Sequence, residues 1–154
     1  MPRLAPLATI LAGTTLLLAG CATPTGEASV VQGIQPCDDT IAGAVETTIR
    51  TQVDAFARED FPGAYDMAAP DFQEAVGLEE FEDVIRDGFV PLLDVSSFTV
   101  SQCLWDSELD LVEIGMTLTT NSGGVGSLLY SLVLVPEGWR ILGAVPNPQS
   151  PQGT

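Results

Sequence analysis

The chain has 154 residues, 45% of them hydrophobic, with 21 acidic side chains against 5 basic ones, all Arg, no His and a formal net charge of −16. That length supports one ordinary domain with a packed core, and the charge excludes nucleic acid and electrostatic adhesion to an anionic bilayer, which both need clustered Lys or Arg. Without His there is no Ser-His-Asp triad, no Cys-His pair and no His-ligated metal site.

Residues 1–20 have the layout of a signal peptide. Arg3 supplies one positive charge, and an apolar stretch runs from Leu4 through Leu18, interrupted by Pro6, Thr9, Gly13, Thr14 and Thr15. It is short for a bilayer-spanning helix, and no positive stop-transfer cluster follows. The tetrad Leu18-Ala19-Gly20-Cys21 resembles the lipobox of bacterial lipoproteins. That resemblance implies a diacylglyceryl group on the Cys21 thiol and cleavage that leaves Cys21 as the first residue. Two acyl chains hold a protein on a membrane where one gives marginal binding. An uncleaved anchor helix and an ordinary secretory signal are the rival readings. Residues 21–37 then form the lipidated N-terminus and a flexible tether rich in Gly, Pro, Thr and Ser.

Export places the rest in a compartment where disulfides persist. With Cys21 acylated, Cys37 and Cys103 remain, and one pair permits one bridge. It would close a long loop, worth about 4 kcal/mol on the chain-entropy model. Two buried free thiols are the alternative.

The domain is expected over residues 38–146. Asp38-Asp39-Thr40 offers helix N-cap oxygens. Ile41, Val45, Ile49, Val53 and Phe56 recur every three or four residues, which predicts an amphipathic helix to about Glu59, with Gln52 counted among its polar residues. Phe61-Pro62-Gly63 restarts the chain into a short helix carrying Ala64, Tyr65, Met67 and Ala68, which Pro70 ends. Asp71 to Val76 is a further turn or short helical piece. A helix opens at Leu78-Glu79-Glu80-Phe81 and runs to about Arg86, with Phe81, Val84 and Ile85 inward; Gly88 and Pro91 stop it. The acidic clusters at Asp38-Asp39 and Glu79 to Asp83 lack the spacing of a Ca²⁺ loop and read as helix-start charge.

From Val95 the period becomes two. Phe98, Val100 and Leu104 alternate with Thr99, Ser101 and Cys103. Leu109 and Leu111 start a second strand, continued by Val112, Ile114, Met116 and Leu118 on even positions; the change of phase between Leu111 and Val112 predicts a bulge. Asn121 to Gly124 is a turn. Val125 to Val135 is a strand apolar on both faces, expected at the centre of the sheet with both sides covered. Pro136-Glu137-Gly138 turns into a last strand, Trp139 to Val145, and residues 147–154 read as a disordered tail. About three helices followed by about four strands predict an α+β fold with the helices on a curved antiparallel sheet.

Residues Val53 to Pro70, a long helix, an acidic turn, an Ala-Tyr helix and a Pro, resemble the opening of the NTF2-like superfamily, the cystatin-like α+β cone. The ending Gly138-Trp139-Arg140-Ile141 is similar to that superfamily's last strand. The resemblance implies a cone-shaped domain, and the fold hosts many functions. Catalytic relatives resembling ketosteroid isomerase or polyketide cyclases hold an acid or base in the cone, using Asp with Tyr or His with Asp. Here Asp110 and Glu113 are the carboxyls nearest such a position, and solvent exposure is their plainer reading.

No catalytic residue, metal ligand or cofactor is therefore assigned. The candidate pocket lining is Tyr65, Phe89, Trp105, Met116, Tyr130 and Trp139, for which core packing is the plainer reading. The expected activity is non-catalytic: a membrane-anchored envelope lipoprotein presenting its domain to an unknown envelope protein or a small apolar ligand. A lipid carrier and an isomerase- or cyclase-like enzyme are the alternatives.

Overall fold

The computed structural model describes residues 33–147. The expected signal segment, Cys21 with its tetrad, and residues 148–154 of the expected tail lie outside the described residues. A short strand β1 (Ile34–Pro36) precedes helices α1 (Asp39–Ala57), α2 (Phe61–Tyr65), α3 (Pro70–Ala75) and α4 (Leu78–Gly88). A 3-10 turn (Val90–Asp94) leads into β2 (Val95–Asp106), β3 (Leu111–Thr120), β4 (Val125–Val135) and β5 (Gly138–Pro146). The strands form one antiparallel sheet in the order β1-β2-β3-β4-β5. The domain is α+β, with helices packed against an open sheet of five strands rather than four. The additional strand, β1, lies inside the segment read as tether. Its three residues are too few to carry a period, and Pro36 is tolerated because β1 is an edge strand.

Helix α1 forms where the stripe predicts it. The Asp38 carboxylate caps it by accepting from the Ile41 N–H at 2.8 Å, and Val45, Ile49, Val53 and Phe56 are buried. The helix ends at Ala57, two residues earlier than expected, because Glu59 adopts a positive φ of 55°. Asp60 then caps α2 by accepting from the Gly63 N–H at 3.0 Å. A Cβ on Gly63 would collide with that carboxylate, so glycine is needed there. Helix α4 carries Glu79 and Glu80 in its first turn, where the macrodipole favours them. It seats Phe81 within 6.0 Å, centroid to centroid, of Phe56, Tyr65 and Phe72. Such ring contacts add about 1 kcal/mol each beyond burial. Val84, expected inward, is 46% exposed.

In the sheet, Val112, Ile114, Met116 and Leu118 of β3 and Leu128, Tyr130 and Leu132 of β4 face the helices and are buried. The expected bulge at Leu111 and Val112 is absent: β3 pairs with β2 in unbroken register there. Leu109 belongs to the preceding turn, where the Asp106 carboxylate accepts from the Glu108 and Leu109 N–H groups. The shift of phase lies on β2 instead, between Val100 and Gln102. Beyond it Cys103 and Trp105 pack against the core, not Leu104. A further shift lies at the start of β2, between Val95 and Ser97, and another separates Ile141 from Gly143 on β5. β4 lies between β3 and β5 as expected, but Leu129, Val133 and Val135 on its other face are only half-buried. The helices cover one side of the sheet alone.

Cys37 and Cys103, 66 positions apart in sequence, are joined in a disulfide with Cα atoms 5.4 Å apart. The Cys37 N–H also donates to the Cys103 carbonyl at 3.1 Å. The start of the domain is thus fixed to β2 by a covalent and a hydrogen bond.

Candidate functional site

Between α1, α4 and the β4–β5 half of the sheet the core is incomplete. A cleft with about 90 Å³ of free space lies there. Phe72, Phe81, Ile85, Phe89, Leu92 and Ile141 give it an apolar wall, and Val84 marks where that wall meets solvent. Short side chains leave the space open on the remaining sides, at Ala68, Gly143 and Ala144.

Two polar side chains join this lining, Gln52 from α1 and Tyr130 from β4. Gln52 is 4% exposed, and its Nε2 donates to the Ala64 carbonyl at 3.2 Å. Tyr130 is 1% exposed, and its hydroxyl is sealed from solvent with no hydrogen-bond partner among the described residues. Burial pushes its phenol pKa up, so the group stays neutral and keeps its proton to donate. A buried hydroxyl without a partner destabilises a fold by about 1–3 kcal/mol. Native interiors contain few such groups.

Of the residues read from the sequence as pocket lining, Phe89 and Tyr130 meet at this cleft. Tyr65 is committed elsewhere: its hydroxyl lies 2.7 Å from the Val76 carbonyl and 3.1 Å from that of Gln73, tying α2 to α3. Met116 and Trp139 are buried in the core cluster. Trp105 packs against the core from β2, and its Nε1 is buried without a partner, but it does not line the cleft. Asp110 and Glu113 are both exposed, Asp110 in the β2–β3 turn and Glu113 on the sheet side away from the helices.

Gln52 is the residue that the sequence reading missed. It lies seven positions after Val45 and four before Phe56, on the buried stripe itself, and a polar residue in such a stripe is a usable signal. Phe81 is on the inward face that its helix spacing predicts, whereas Phe72, Leu92 and Ala144 have no signal beyond their hydrophobicity.

Among the described residues no group of three or more His, Cys, Asp or Glu side chains could hold a metal ion. No helix among them is long and apolar enough to cross a membrane. The family described as "Domain of unknown function (DUF4864)" matches residues 39–152. No curated protein and no solved structure matches.

Proposed function

The chain belongs to the DUF4864 family, and on that premise we propose a membrane-anchored cell-envelope lipoprotein whose NTF2-like domain binds a small, largely apolar ligand without converting it. The observation that carries this reading is the cleft: an apolar space lined by Tyr130, whose buried hydroxyl is unpartnered among the described residues. Apolar clefts with a few placed polar groups are the usual form of small-molecule sites.

The anchor rests on the Leu18-Ala19-Gly20-Cys21 tetrad. The Cys37–Cys103 disulfide supports an extracytoplasmic, oxidising compartment. The order of helices, then sheet, with a cleft between them supports the NTF2-like reading. The lining favours holding a ligand over proton transfer, because its polar members are an amide and a phenol, with no carboxyl to act as base. At about 90 Å³ the space is well below the 300–1,000 Å³ of ordinary ligand pockets, which favours a compact molecule over a whole lipid.

Two experiments test the reading. Amide chemical shifts of the purified full chain, titrated with a set of small apolar compounds, should change around Gln52, Phe89, Tyr130 and Ala144. Ala144→Leu, which fills the space, should abolish those changes. Shifts centred elsewhere, or none with any compound, would contradict cleft binding. Mass spectrometry of the mature protein should find a diacylglyceryl group on an N-terminal Cys21; an unmodified Cys21 thiol in membrane-extracted protein would refute the anchor.

A further inference from the structure

We propose that the ligand is an uncharged molecule with a carbonyl or ether oxygen that accepts a hydrogen bond from Tyr130 Oη. This deepens the cleft-binding reading and rests on it. The Tyr130 oxygen has no accessible surface and no partner among the described residues, and Tyr130 lines the cleft, so a molecule that enters and displaces the lining around that oxygen supplies its acceptor. Gln52 spends one of its two N–H donors on the Ala64 carbonyl, whereas the single donor of Tyr130 is buried and unmet.

Charge decides between acceptor classes. A buried carboxylate needs a cation, and among the described residues none that lines the cleft is basic. Arg50 and Arg86 are held in ion pairs with Glu46, Glu59 and Glu82 on the helix surfaces, and the whole chain carries −16. An ammonium group would likewise find no carboxylate in the lining. Burying either ion unpaired is far more costly than burying a neutral carbonyl that receives one hydrogen bond. The aromatic and aliphatic walls then take the remaining hydrocarbon, and the free volume limits it to a small ring or short chain.

Cyclopentanone and methylenecyclopentane have the same shape and differ in one acceptor oxygen. Both are titrated into the full chain and into Tyr130→Phe, with affinity read from the cleft amide shifts. Tyr130→Phe should weaken cyclopentanone roughly fivefold, the worth of one neutral hydrogen bond, and leave methylenecyclopentane within about twofold. The unchanged hydrocarbon affinity certifies that the variant is folded with its cleft intact. Cyclopentanecarboxylate should produce no cleft shifts at the same concentrations. If both ring compounds bind and Tyr130→Phe affects them alike, the acceptor assignment is wrong while cleft binding stands. Carboxylate binding as tight as that of the ketone overturns the requirement for a neutral molecule. If neither ring compound moves the cleft resonances of the unaltered chain, cleft binding and the acceptor assignment fall together.

Discussion

At the β1–β2 end of the sheet the chain is pinned twice, by the Cys37–Cys103 bridge and by the Cys37 N–H bonded to the Cys103 carbonyl. At the β4–β5 end there is free space, and a buried tyrosine oxygen has nothing to bond. The two tyrosines repeat the contrast. Tyr65 reaches two carbonyls and joins α2 to α3, whereas Tyr130 is more deeply buried and reaches none. Satisfied polar groups hold a fold together and an unsatisfied one lowers stability; two are found among the described residues, Trp105 Nε1 at the pinned end and away from the cleft, and Tyr130 Oη on a residue that lines it.

The largest break in this contrast comes from the pinned end. Replacing both Cys37 and Cys103 by Ser should lower the unfolding free energy by about 4 kcal/mol, measured in urea without reductant. A loss under about 1 kcal/mol would mean that the bridge constrains little. Next comes Tyr65→Phe, which should destabilise the domain by about 1 kcal/mol, since it removes a hydroxyl already bonded to backbone.

The smallest effect is local and depends on pH. Hydrogen bonds from the Asn121 side chain, then from Ser122, hold the Asp94 carboxyl below its ordinary value. A carboxyl whose folded pKa is depressed stabilises at neutral pH, and that contribution is lost as pH falls below about 4 through the folded value. Faster exchange of the Ser122 amide below that pH, with the core amides unaffected, is the expected result. Loosening already at pH 6 would assign the turn to another group.

Much of this layout was legible beforehand, for identifiable reasons. The α1 stripe and the even positions of β3 and β4 follow helix and strand periods, which burial imposes on the sequence directly. The disulfide followed from the number of cysteines and the export that residues 1–21 lead one to expect. β1 was hidden because a three-residue edge strand is fixed by pairing with β2 and not by its own pattern. The bulge was placed on the wrong strand because the true shift falls at Ser101 and Gln102, where two polar residues leave no apolar phase to follow. The cleft was half legible. Phe89 and Tyr130 stood out as aromatic residues, but Met116, Trp139 and Trp105 looked the same and went into the core. A space is set by the gap between elements, at Ala68 and Ala144 as much as at any large residue, and spacing along one chain does not carry that. Gln52 was readable in principle and was passed over as surface.

The most direct test of the incomplete cleft is the unfolding free energy of the ligand-free Tyr130→Phe chain against the unaltered one, in urea with the disulfide intact. An oxygen sealed away without a partner predicts that its removal raises stability by about 1 kcal/mol. A loss of about 1 kcal/mol would show that the hydroxyl already has its partner, and the cleft would then have no vacancy for a ligand to fill.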